Sequence, residues 1–88
     1  MATARGLERL LAEAQGLGAS RWVEFLGPFP EALRDAALPD LRGVALRARA
    51  AYGPRDSIRD ALSTESTEPV LADLDRLLKL LAREASGG

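Results

Sequence analysis

Residues 69–85 read PVLADLDRLLKLLAREA. Val70, Leu71, Leu74, Leu77, Leu78, Leu81 and Ala85 recur at three- and four-residue intervals, which gathers them on one face of an α-helix of about 3.6 residues per turn and scatters them over both faces of a strand. Asp73, Asp75, Arg76, Lys79 and Arg83 fall away from that face, and Asp75 with Lys79 is expected to form an i,i+4 pair. Pro69 suits the first turn, where a missing amide is harmless, with Ser66 or Thr67 as cap and Glu68 beside the positive helix end. An apolar stripe this wide must be covered, so the fold depends on what the rest of the chain can lay over it.

Working outward from that helix, the stretch STESTE at 63–68 holds no apolar residue and reads as a surface loop. Before it, Asp56 or Ser57 can cap a short helix that carries Ile58 and ends at Leu62. Leu41, Val44, Ala45, Ala48 and Tyr52 form the inward face of a helix capped by Asp40 and stopped by Gly53 and Pro54, with Pro39 closing the element before it. Ser20 can cap a helix bearing Trp22, Phe25, Leu26, Phe29, Leu33, Ala36 and Ala37. Pro28 and Pro30 each remove an amide there, so we expect a break near Gly27–Pro28 and a second piece with Pro30 in its first turn. The first helix spans Ala4 to Leu17, with Leu7, Leu10, Leu11, Ala14 and Leu17 inward, Thr3 as cap and Gly16 and Gly18 as stops.

Composition agrees with this pattern. Alanine and leucine supply 16 residues each, whereas Val, Ile and Thr together supply seven, too few for a sheet. The expected fold is all-α, a compact antiparallel bundle of four longer helices plus one short one. With 88 residues the chain is expected to be one domain, 1–88, with 86–88 a flexible tail. The core is expected to bring together Trp22, Phe25 or Leu26, Phe29 and Leu33 with Leu74, Leu77, Leu78 and Leu81.

The sequence excludes much chemistry. It has no His and no Cys, which removes the commonest general base, the thiolate nucleophile, disulfides and the usual zinc sites. Asp73 and Asp75 point in different directions from one helix, and Asp56 and Asp60 alternate with Arg55 and Arg59 as on a solvated face. Neither pair resembles two carboxylates straddling a cleft. No serine has a His or Ser-x-x-Lys partner. We therefore expect no catalytic residues, no cofactor and no metal. Twelve basic residues against 13 acidic give a net charge of −1, so no whole-molecule field draws the chain to nucleic acid or an anionic membrane. No run approaches the ~20 apolar residues of a membrane span, and the first 30 residues are interrupted by charges, so a soluble cytoplasmic protein is expected.

Two local features suggest binding. Arg42 to Arg59 holds five arginines and one acid, Asp56. A weak phosphate or nucleic-acid contact through Arg42, Arg49 and Arg55 is one use of it, although Tyr52, the aromatic available for stacking, faces inward. Helical geometry also leaves two leucines on polar faces: Leu46 between Arg42 and Arg49, and Leu80 among Asp73, Arg76 and Glu84. An apolar centre ringed by charge is the usual composition of a protein contact. The candidate partner-binding residues are thus Arg42, Leu46, Arg49, Arg76 and Leu80, for a protein partner or for self-association.

Two resemblances accompany these readings. Asp56-Ser57-Ile58 looks like the Asp-Ser-Leu motif of acyl and peptidyl carrier proteins, which implies phosphopantetheine on Ser57. The match covers three residues, and an N-cap accounts for Ser57 more simply. More broadly, Leu10-Leu11, Trp22, Tyr52-Gly53 followed by Ser57 and Asp60, and the closing Leu74-Asp75-Arg76-Leu77 resemble a family of small bacterial all-helical domains of unknown function with a Trp-Ala pair and a Tyr-Gly-Gly-Met-Gly-Ser stretch. Here Val23, Pro54, Arg55 and Asp56 stand where that family has Ala, Gly, Met and Gly. The resemblance implies no activity, and it accords with a small accessory or immunity-type domain that binds a protein.

Overall fold

A computed structural model of the chain describes residues 2–53 and 57–87, with side chains described as far as residue 83. Among the described residues the fold is all-α: α1 (Ala2–Leu17), α2 (Ser20–Leu26), α3 (Phe29–Asp35), α4 (Leu38–Arg49) with a 3-10 turn (Ala50–Tyr52), α5 (Ile58–Ala61) and α6 (Thr64–Gly87). No helix among these residues is long and apolar enough to cross a membrane. The tail expected at 86–88 is helical through Gly87.

α6 is the spine. Its 24 residues extend about 36 Å at 1.5 Å per residue, and the molecule measures 43 × 24 × 19 Å. α1 runs antiparallel along the N-terminal half of α6, with Glu13 beside Ser63 and Gly6 beside Val70. α4 covers the other half, also antiparallel, since Tyr52 meets Thr67 and Arg49 meets Asp75. The α2–α3 pair packs on α1, and α3 reaches α4. Buried Leu7, Leu10, Leu26, Leu33, Ile58 and Leu74 form the centre of one core.

The helix ends follow local rules. α1 stops in a Schellman motif: the Ala19 amide donates to the Ala14 carbonyl (2.9 Å) and the Gly18 amide to that of Gln15 (3.2 Å). Gly18 sits at φ +68°, a left-handed conformation that glycine adopts without a Cβ penalty. Ser57 caps α5, its hydroxyl accepting from the Arg59 amide at 3.2 Å. The chain does break at Gly27–Pro28, yet both residues hold helical dihedrals, so hydrogen bonds are interrupted while the direction nearly continues.

Several expectations are corrected. Thr3, Ser20 and Asp40 lie inside their helices rather than capping them, and Leu17, expected inward, is 63% exposed at the end of α1. Pro39 does not close the preceding element. Ala36 and Ala37 are extended (ψ 133° and 154°), and α4 begins at Leu38 with Pro39 in its first turn, where the amide is dispensable. Residues 64–68 are not a loop but the first turns of α6. The carbonyl of Ser63 accepts the amides of Ser66 and Thr67, and the Glu13 carboxylate accepts from the Ser63 amide (3.0 Å), the Ser63 hydroxyl (2.8 Å) and the Ser66 hydroxyl (3.1 Å). An anion from α1 thus satisfies the positive end of α6, and Pro69 falls inside the helix. Finally, Leu77 and Leu78, expected in the core, are only half-buried, while of the alternatives Phe25 and Leu26 it is Leu26 that is fully buried. Four residues of α1 remain beyond Gly6, so α1 ends level with about Leu74 and leaves the later turns of α6 with less cover.

Candidate protein-binding surface

Leu41, Val44, Ala45 and Ala48 bury the inner face of α4. Leu46 points about opposite to them and is 49% exposed, and Leu80 on α6 is 52% exposed, so neither leucine belongs to a second internal layer. They do not share one patch. Asp75 marks the flank of α6 that faces α4, because its Oδ1 accepts from Arg49 Nε at 3.0 Å. Leu80 lies about 140° around the helix from Asp75, on the side away from α4.

The candidate arginines separate in the same way. Arg42 is exposed and engages no acid among the described residues. Arg49 is half-buried, bonded to Asp75 and stacked over the Tyr52 ring at 5.7 Å. Arg76 bonds Asp73 at 3.2 Å on its own helix. Arg55 lies outside the described residues, as does Asp56. The sequence reading did not single out Arg47, Lys79 or Arg83, all exposed. Their signal was positional: Lys79 and Arg83 follow Asp75 at four-residue intervals, on the flank of α6 that adjoins Arg42.

Arg49 belongs to a clamp behind this surface. Tyr52 is buried, its hydroxyl donates to the Thr67 carbonyl, and its ring lies between Arg49 and Arg59, each 5.7 Å from the ring centre. Arg59 in turn forks onto Glu68, Nε to Oε1 at 2.7 Å and Nη2 to Oε2 at 3.1 Å. Burial, then the nearby Glu68 charge, push the Tyr52 phenol up to about 12. The clamp fixes the end of α4 on α6.

Elsewhere, Ser57 borders a shallow depression with Arg21, Trp22, Asp60 and Ala61, but its hydroxyl serves as the cap of a four-residue helix. Asp73 and Asp75 bind two different arginines. Among the described residues no group of three or more His, Cys, Asp and Glu is placed to hold a metal ion. No family model, curated protein or solved structure matches the chain.

Proposed function

We propose that this chain is a small non-catalytic helical domain that binds another protein through the outer face of α4, as a cytoplasmic accessory or immunity-type factor. The observation that supports this is Leu46, a large apolar side chain half-exposed and directed away from the core, beside Arg42 and on a helix anchored from behind by the Tyr52 clamp. One exposed leucine is ordinary; one beside an unpaired arginine on a helix whose end is anchored to the core has the composition of an interface centre. Arg76 and Leu80 form a separate surface, and Arg76 is engaged by Asp73.

A photo-crosslinking residue at position 46 tests the proposal in the source cell, with exposed Gln15 as the control position. A protein partner, or a second copy, should be trapped from position 46 and not from position 15, and Leu46→Asp should abolish association while the melting temperature stays within a few degrees of the parent. Equal trapping from both positions, or unfolding of Leu46→Asp, defeats the proposal.

A further inference from the structure

The charges around Leu46 are arranged in a way that selects a partner. α4 and α6 run antiparallel with Arg49 on Asp75, so moving two turns back along α4 to Arg42 corresponds to moving two turns forward along α6 to Ala82 and Arg83. Lys79 falls between, on the same flank. Arg42, Lys79 and Arg83 therefore line one edge of the α4–α6 pair, with Leu46 beside them on α4. All four are exposed, and none of the three cations is ion-paired to another described residue.

Elsewhere Arg34 bonds Glu8 and Arg59 bonds Glu68, so those cations are neutralised locally, while exposed Arg5 and Arg9 stand on α1 without an exposed leucine between them. Exposed Asp60 and Glu65 lie with Glu68 at the other end of α6.

We propose that the α4–α6 edge centred on Leu46 docks an acidic amphipathic helix of a partner protein, an inference that rests on the protein-binding role above and specifies the partner. Charge complementarity supplies the selection: carboxylates at i, i+4 spacing on the partner meet Arg42, Lys79 and Arg83, and an apolar residue between them covers Leu46. α4 is 12 residues or about 18 Å long, which accommodates about three turns of a partner helix. A nucleic-acid strand fits less well. The Tyr52 ring is buried, with Arg49 and Arg59 over it, and is unavailable for stacking, and a phosphate backbone offers nothing to Leu46.

The test is an amide-shift titration of isotope-labelled protein with a synthetic helical peptide of about four turns, composed of alanine with one leucine stripe flanked by glutamates, and with the same peptide carrying Gln for every Glu. The acidic peptide should shift amides in 42–49 and 79–83, weaken with added salt, and lose roughly tenfold or more in affinity on Gln replacement and in the Arg42→Glu/Lys79→Glu variant, whose fold is checked by its melting curve. Leu80→Gln should bind as the parent does. The proposal is overturned by absence of those shifts at millimolar peptide, by equal binding of the Gln peptide, or by oligothymidylate or phosphatidylglycerol vesicles giving the same shifts at lower concentration. If position 46 crosslinks a partner through a segment without acidic residues, this inference fails and the protein-binding role stands.

Discussion

Replacing Gly6 by alanine probes the crossing of α1 and α6, on which the bundle depends. A Cβ at position 6 would lie 2.7 Å from Val70 Cγ2, against the ~3.5 to 4.0 Å at which carbon atoms rest. Val70 is buried and β-branched within a helix, so its side chain is held near one rotamer and cannot swing aside. The helices must separate, or Val70 must leave its rotamer, at a cost of about 1–3 kcal/mol. Against this, Gly→Ala within a helix gains about 1 kcal/mol of propensity. The expected net loss is about 1 kcal/mol, a fall in Tm of about 4–8 °C for a domain of this size. The decisive measurement is a double-mutant cycle by urea unfolding, followed by far-UV circular dichroism. In the Val70→Ala background the obstruction is gone, so Gly6→Ala should become stabilising by about 1 kcal/mol, a reversal of sign. Gly16→Ala in the same helix meets nothing within 4 Å and should not destabilise, while Gly18→Ala, at φ +68°, should. If Gly6→Ala raises Tm with Val70 present, or has the same effect in both backgrounds, the close crossing described here is wrong.

Leu74→Ala should cost about 2–5 kcal/mol and half-buried Leu78→Ala distinctly less, an order read from their melting temperatures. Thr67→Val should stabilise by about 1 kcal/mol in the same assay, because the fully buried Thr67 hydroxyl has no hydrogen-bond partner among the described residues and valine removes it at nearly constant shape. Tyr52 is the sole tyrosine, so its ultraviolet titration is unambiguous and should place the phenol near 12 rather than 10.0. Because the folded value is raised, the associated stability is whole below pH 10.0 and is lost as the pH climbs toward about 12; Tyr52→Phe should flatten that alkaline limb. In acid the sign is opposite. The Ser63 amide and then its hydroxyl hold the Glu13 carboxyl below its ordinary 4.5, so its stabilisation is present above that value and fades as the pH drops through the lowered one. Glu13→Gln should flatten the acid limb of the stability curve, and an unchanged limb would show that the carboxylate does not hold α6.

Periodicity carried most of the fold. α1, the inner face of α4 and the stripe of α6 are visible because their burial repeats every three or four residues, and such a pattern depends on neighbours close in sequence. What escaped was set by distant partners. STESTE looks like a loop because it has no apolar residue, yet from Thr64 onward it is helical since Glu13, 50 positions earlier, accepts from Ser63. Pro39 sits between two alanine-rich segments and could end one helix or begin the next. The extended Ala36–Ala37 joint, which turns α4 back across α3 toward α6, decides between them. The choice of Leu26 over Phe25 likewise depends on α1, against which α2 packs, rather than on anything within α2.

The candidate surface was legible in its apolar half. A leucine opposite four inward residues of one helix is a local statement, and Leu46 is exposed where the helical wheel puts it. The charges around it were not legible, because the wheel of a single helix ranks all its arginines alike. Only the packing of α4 on α6 separates Arg49, drawn onto Asp75 and the Tyr52 ring, from Arg42, which remains in solvent beside Lys79 and Arg83. The same packing divides two leucines that the sequence treats as equivalent, since Leu80 lies on the flank of α6 turned away from α4. A basic edge assembled from two helices more than 30 residues apart is a property of the fold. A substitution that shifts the register of α4 against α6 should therefore disperse the edge while leaving every one of its residues in place. Tyr52→Leu does this at the point where the end of α4 is fixed: it removes the hydroxyl that donates to the Thr67 carbonyl and the ring against Arg49 and Arg59, and it should weaken acidic-peptide binding through a mispositioned Arg42 although no charge of the strip changes. Local electrostatics alone would leave binding unchanged, so a loss of affinity separates a surface defined by geometry from one defined only by its charge.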